Sequence, residues 1–416
     1  MATGSAGDRH ISIDAVRGMA ILGILLMNIV GMGLPTFSYI NPAYAGGHEG
    51  ADLWTWAINN VLTDGKMRAL FTMLFGASTV LIASRAEVGS GLGPAQTHYR
   101  RLFWMLVIGM IHAYFLWFGD ILVTYALAGI FSFPFRKLNA RLQIGISAAV
   151  LTALLGYHLF ETAALEGMRA AASAPNATPA AIAVWKETSF LINPPAAMGQ
   201  LEIAQFRGNF FQALEARTRV VSLLQTTIMP TDEIPEAIGQ MFIGMGLFQT
   251  GFFTLGWSSR AYGRMIAFGY LVAAPATAVL SWLIWKSDFE PVRLHALEVW
   301  QAPSRPFIGL AHASVLLLIV RAGAIPAVTE RLAAAGRMAF SNYLMTSIIT
   351  NLTFCGYGLG LYGQLSRFQQ LGVVFAVWAF ILIWSKPWLA RFQYGPFEWL
   401  WRSLVQWKRQ PFLKAA

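Results

Sequence analysis

The chain has 416 residues, of which 56% are hydrophobic and only 12% charged. A soluble globular protein carries roughly 25% charged residues, so too few ionisable groups remain here to cover a water-facing surface of this size. The net charge of +10 would ordinarily raise nucleic acid as a partner, but the lysines and arginines sit in short clusters between apolar runs. That is the positive-inside pattern of a membrane protein and not a phosphate-binding face.

In chain order, apolar runs of helix-spanning character fall at 16–34, 67–82, 102–118, 121–135, 142–159, 238–255, 265–285, 307–320, 338–354 and 371–384. They predict an all-α integral membrane protein, a single domain over residues 1–416 built as a bundle of about ten transmembrane helices. The runs are too long for barrel strands, and lipid tolerates no other spanning backbone. The first run follows Arg9 but is interrupted by Asp14 and Arg17, which reads as a retained first span and not a cleaved leader.

Orientation follows from the loops. Arg85, Arg100 and Arg101; Arg136, Lys137 and Arg141; Arg260 and Arg264; Arg321, Arg331 and Arg337; and the basic C-terminal tail all fall on one side when ten crossings are drawn. Both termini are therefore expected in the cytoplasm. The acidic residues fall mostly on the other side, in outer segments at about 35–66 and 161–236. Within these, 53–62 is expected to form a short interfacial helix, 170–183 a flexible connection, and 206–224 a helix on the outer membrane surface.

Polar groups within apolar runs are costly and each invites a functional reading. Asp14 and Arg17, at i and i+3, share a helix face; they form a boundary ion pair or hold the guanidinium for a phosphate-bearing ligand. Asn28 lies about three turns further on nearly the same face, where an amide knits helices or meets substrate. His112 is followed by Trp117 and by Asp120 in a tight turn. A histidine there can take a proton from an acceptor, oriented by the carboxylate; the alternative is a satisfied packing histidine with Asp120 capping the next helix. Lys66 and Arg68 bind an anionic group or anchor a helix end. Glu236 contacts substrate or complements a helix dipole. Arg337, and Ser341, Asn342 and Tyr343 beyond it, line a site or serve as packing glue. His48 lies in an outer loop within reach of a site. His10, His98, His158, His295 and His312 have no obvious polar partner nearby in sequence.

The lone Cys355 permits no internal disulfide, and no metal-ligand spacing is present, so neither a disulfide framework nor a bound metal is expected. The chain has no Walker loop, dinucleotide fingerprint, zinc motif or Gly-x-Ser-x-Gly, which argues against ATP-driven transport and against a serine-triad hydrolase.

The ordered set Ile13-Asp14-Ala15-Val16-Arg17-Gly18 through Asn28, Phe71 to Gly76, Gly109 to His112 with Trp117, Gly119 and Asp120, Gly239 to Gly246, Gly336 to Leu344, and Gly395 to Arg402 resembles the YeiB family of bacterial membrane proteins. That family in turn resembles the transmembrane acyltransferases, which include heparan-α-glucosaminide N-acetyltransferase. The resemblance implies a multi-pass protein of the bacterial inner membrane that moves an acyl group from cytoplasmic acyl-CoA, such as acetyl-CoA, to a small-molecule or glycan acceptor on the outer side.

It also implies no tightly bound cofactor. Membrane lipids are the surroundings and nucleic acid is not a partner; a homodimer is compatible with this reading. Arg17 with Gly18 matches the arginine-glycine pair that opens the first helix of those enzymes. Asn28 stands where O-acyltransferases of that group carry a histidine, as an asparagine does in the heparan enzyme. His112 then serves as the base, with His48 as runner-up, or as an acyl carrier through an acyl-histidine intermediate. Asp14, Arg17, Arg68, Trp117, Glu236, Arg337, Asn342 and Tyr343 are the expected binding residues, and Asn28 or Arg68 would steady the oxyanion. The competing expectation is a secondary transporter of a small anionic or amphipathic solute.

Overall fold

The computed structural model describes residues 6–88 and 92–414. Among them the regular elements are helices: α1 Ala6–Gly33, α2 Phe37–Ile40, α3 Gly50–Leu62, α4 Lys66–Val88, α5 Pro94–Phe115, α6 Leu122–Ser132, α7 Ala140–Ser173, α8 Pro179–Ile192, α9 Ala196–Arg207, α10 Phe210–Leu223, α11 Ile234–Gln249, α12 Ser259–Phe268, α13 Ala274–Lys286, α14 Pro291–Gln301, α15 Arg305–Ala322, α16 Pro326–Arg337, α17 Ala339–Phe354, α18 Arg367–Arg391 and α19 Pro396–Gln406. Phe392 and Leu413 form an isolated bridge. The protein is a polytopic helical membrane protein.

Six helical stretches are long and apolar enough to cross a bilayer, and they coincide with six of the expected spans. The other four expected spans fall on α5, α6, α11 and α17. These are helical but shorter or more polar, with α6 only 11 residues and α17 only 16. α1 lies at the centre: 83% of its most apolar window is buried, against 11% for α7 at the periphery.

Two crossings owe their closeness to glycine. A Cβ on Gly336 of α16 would sit 1.8 Å from the Asp14 carbonyl oxygen, and one on Gly18 of α1 would sit 2.0 Å from the Leu332 oxygen. α4 meets α11 in the same way, with a Cβ on Gly244 landing 1.8 Å from the Met73 oxygen. Without a hydrophobic force between helices in lipid, such backbone approach is what gains van der Waals contact.

The outer segments depart from expectation. Most of 170–183 is helix, because α7 runs to Ser173 and α8 starts at Pro179, leaving a short link. The helix expected over 206–224 is broken at Gly208, and its second part, α10, does not stop at 224. It continues through a wide-turned stretch, Leu224–Glu233, directly into α11. Pro230 lies inside that stretch, where its missing N–H suits a locally widened helix. The expected 238–255 span is cut short at Gln249, where Gly251 takes φ +82 and turns the chain. The short helix expected over 53–62 is present as α3, with Trp54 exposed on it.

Candidate functional site

α1, α4, α5, α6, α16, α17 and α19 enclose a cavity of about 720 Å³. One end is basic. Arg17, Arg85, Arg101, Arg337 and Arg402 line it, against two carboxylates on the same wall, Asp14 and Glu398. Arg17 holds Asp14 at 2.7 Å and also reaches the Ser78 hydroxyl at 3.2 Å, so the pair forms as the i, i+3 spacing requires. Arg101 lies over the Trp401 ring at 4.1 Å and Arg402 over Tyr394 at 4.5 Å. Stacking fixes the planes of both guanidiniums, which lowers the entropy lost when an anion is gripped.

From Arg101 the wall follows α5 inward through Leu102 and Met105, with Phe71, Phe75 and Leu122 facing them. Tyr125 and Tyr343 complete the lining there. This end is apolar, with phenol hydroxyls as its polar handles.

Behind Tyr343 stands a closed hydrogen-bonded array. His112 Nδ1 lies 2.7 Å from Asp120 Oδ1. His112 Nε2 lies 2.8 Å from Ser347 Oγ. A carboxylate at Asp120 only accepts, so in a neutral imidazole Nδ1 carries the proton toward it and Nε2 is left to accept from the serine hydroxyl. Asp120 Oδ2 accepts the Val123 amide at 2.8 Å, which caps α6 as the sequence suggested. The Tyr343 hydroxyl reaches Asp120 Oδ1 at 3.4 Å and accepts the Ile121 amide at 3.2 Å. Its ring centroid is 4.9 Å from that of His112. His112, Asp120 and Ser347 are buried and do not line the cavity themselves; Tyr343, which does, contacts His112 and Asp120.

Local sequence explains the placement. Gly109 has no side chain, and a Cβ there would sit 2.9 Å from Leu122 Cβ and 3.0 Å from Asp120 Oδ2. That gap lets the 116–121 turn tuck against α5 and carry Asp120 to His112. α17 is held by its N-terminus: Glu398 Oε1 accepts from the Phe340 amide at 2.7 Å and the Ser341 amide at 3.0 Å.

The chain is similar to three bacterial proteins over nearly its whole length. It is 30% identical to "Uncharacterized protein YeiB" of Escherichia coli (strain K12), covering 96% of each chain. The chain belongs to the YeiB family. In "Uncharacterized protein YxaH" of Bacillus subtilis (strain 168), the YeiB-family likeness is 27% over 97% of this chain and 95% of that one. In the "Uncharacterized 39.9 kDa protein in amylase 3'region" of Bacillus acidopullulyticus it is 23% over 98% and 96%. The family model described as a protein of unknown function (DUF418) matches residues 247–408, the region that carries α17 and α19. No solved structure matches this YeiB-family chain.

Of the residues expected from sequence, the fold brings Asp14, Arg17, Arg337 and Tyr343 to the cavity, and His112 with Asp120 behind it. Trp117 is buried on the same turn as Asp120, and its Nε1 has no hydrogen-bond partner among the described residues.

Others lie elsewhere. Arg68 binds Glu236 at 2.9 Å, Arg305 binds the same carboxylate at 3.2 Å, and none of the three lines the cavity. The two expected binding residues thus neutralise each other. The Asn342 amide is consumed in packing, donating to Ala335 O and Ser385 Oγ and accepting from Trp384 Nε1. Asn28 is buried on α1, and among the described residues no hydrogen bond joins it to His112 or Asp120. Lys66 is buried and its ammonium donates to the Asn60 carbonyl. His48 packs edge-on against Phe289.

Of the remaining histidines, His158 contacts Glu161 at 2.9 Å, a partner three residues on that sequence reasoning overlooked, and Asp232 at 3.0 Å; His98 meets Gly129 O, His312 meets Tyr270 and Leu62 O, and the buried His295 Nε2 has no hydrogen-bond partner among the described residues. The His10 side chain lies outside the described residues. Among the described residues no cluster of three His, Cys, Asp or Glu is placed to hold a metal.

Sequence reasoning missed Ser347, Glu398 and Arg101. Ser347 stands one turn beyond Tyr343 on the same face, and that i, i+4 spacing is the one signal available for it.

Proposed function

We propose that this protein is a membrane acyltransferase that takes an acyl group from acyl-CoA on the cytoplasmic side and delivers it to a hydroxyl- or amine-bearing acceptor on the outer side of the bacterial inner membrane. The observation that carries this reading is the cavity, basic at one end and apolar beside Tyr343, with the His112–Asp120 pair immediately behind. An anionic donor with an apolar acyl tail has that polarity. Arg17, Arg101, Arg337 and Arg402 meet the phosphates of the donor, in keeping with the preference of guanidinium forks for phosphate.

The arginine-rich end is assigned to the cytoplasm by the loop charges. Arg101 and His112 lie on one helix, about 16 Å apart along its axis, so an extended thiol arm gripped at the first presents its thioester near the second. His112, oriented by Asp120, takes the proton of the attacking group and returns it to the leaving thiolate. The likeness to transmembrane acyltransferases supports the same reaction class.

The test is thiol release from acetyl-CoA by the full-length protein in lipid nanodiscs, with hydroxyl and amine acceptors supplied in turn. Wild type should release free CoA, Arg337→Gln should raise KM about tenfold or more as one charge-assisted contact is lost, and His112→Ala should abolish release. Uptake of a solute into vesicles without any acyl donor, with no CoA released, would overturn this reading in favour of transport.

A further inference from the structure

We propose that Ser347 is the nucleophile of this site, taking the acyl group as an oxygen ester before the acceptor receives it; the identity of the donor rests on the acyltransferase reading above. Ser347, His112 and Asp120 have the connectivity of a hydrolase triad, assembled from α17, α5 and the turn before α6. Oγ to Nε2 is 2.8 Å and Nδ1 to Oδ1 is 2.7 Å. The roles follow from the connectivity: a carboxylate against Nδ1, and Nε2 of the neutral imidazole facing a hydroxyl.

The ordinary alternative is a serine that packs two helices together. Its neighbours show what that looks like in this chain. Thr346, Thr350 and Thr353 on the same helix each donate back to the carbonyl four residues earlier, as do Ser281, Ser314 and Ser385 elsewhere. This is how hydroxyls in apolar helices usually satisfy themselves. Ser347 does not do so; its hydroxyl is directed at the imidazole instead.

Two further features suit acyl transfer. Tyr343 lines the cavity one turn before Ser347 on the same helix face, so a thioester entering past the phenol ring meets Oγ next. Trp117 leaves a buried indole N–H unpartnered on the turn that carries Asp120, a donor of the kind an oxyanion takes.

The step balances as follows. Ser347 Oγ attacks the thioester carbonyl and its proton passes to His112 Nε2. The carbon–sulfur bond breaks, and the thiolate takes that proton and leaves as a free thiol. The acceptor then attacks the serine ester, its proton passing by way of His112 to Ser347 Oγ as the ester bond breaks.

The test uses full-length protein in nanodiscs. It is incubated with acetyl-CoA labelled in the acetyl group, quenched in acid and mapped by peptide mass spectrometry, alongside a parallel treatment with an alkyl fluorophosphonate. The expected result is a label on the Ser347 peptide that survives neutral hydroxylamine. Ser347→Ala should lower CoA release about a thousandfold. Ser347→Cys, close in volume, should fold like wild type and carry a hydroxylamine-sensitive label. CoA release by Ser347→Ala at the wild-type rate, or a label on His112, would overturn the nucleophile while leaving acyl transfer intact. Fluorophosphonate capture at Ser347 without CoA release would keep the nucleophile and remove the CoA donor. If neither reagent marks Ser347, the proposal fails.

Discussion

Glu398 holds Ser341 twice: Oε1 accepts the Ser341 amide at 3.0 Å, and the Ser341 hydroxyl donates to Oε2. The Phe397 amide in turn donates to Ser341 Oγ at 3.0 Å. A carboxylate from α19 thus closes the positive end of α17, the helix that carries Tyr343 and Ser347. Glu398→Ala should leave two amides unpaired and cost about 1–3 kcal/mol. The check is thermal unfolding in detergent together with catalytic rate, and both should fall. A variant with unchanged melting and rate would show that α17 does not need this cap.

Asp120 divides its two oxygens between the imidazole and the cap of α6. Asp120→Asn retains one acceptor but presents a donor to the other partner, so the cap and the imidazole tautomer cannot both be kept. CoA release should fall by roughly 10³–10⁴, with donor KM little changed because the arginines are untouched. Steady-state kinetics with acetyl-CoA separates the two parameters. A rate close to wild type would remove Asp120 from the reaction.

Gly336 packs against the carbonyl of Asp14, with room for no methyl. Gly336→Ala should cost about 1–3 kcal/mol by overpacking and displace the Asp14–Arg17 pair from the cavity wall. Gly145 on α7 has nothing within 4 Å of its missing Cβ, so Gly145→Ala serves as the control and should be neutral or slightly stabilising. Equal melting of the two variants would contradict the close α1–α16 crossing.

Glu202 on α9 ties the outer segments together, accepting from the Thr36 amide at 2.9 Å, the Thr36 hydroxyl at 2.6 Å and the Tyr362 hydroxyl at 2.7 Å. Burial raises its pKa above the ordinary 4.5 despite those donors. A carboxyl whose folded pKa is raised stabilises fully below its unfolded pKa, and that contribution is lost as pH rises through the folded value. Melting temperature should therefore decline from just above pH 4.5 toward the raised pKa, and Glu202→Gln should flatten that slope. A slope of equal size in Glu202→Gln would place its origin elsewhere.

Much of the fold was legible because lipid enforces helices, and a run of apolar residues has few other destinations. The boundaries were not. Whether α7 stops at 159 or continues to Ser173 depends on what covers it, and 206–224 joins α11 through a widened turn that no periodicity announces.

The site was legible where partners are close in sequence, as with Asp14 and Arg17, or His112 and Asp120. Ser347 lies 235 residues from His112, and Glu398 lies 57 from Ser341; nothing local marks either. Arg68 and Glu236 mislead for the same reason. Each looks like an unpaired charge until the fold places them 2.9 Å apart.

The brevity of α6 has a further consequence. Leu122–Phe135, helix and following turn together, covers about 20 Å, while the hydrocarbon layer is about 30 Å deep. The column above α6 is filled by a folded-in turn instead of more helix. Along that column the helical backbone therefore covers less than the hydrocarbon depth. On the acyl-transfer reading proposed above, the transferred group would meet this turn, and not a further length of helix, beside α6.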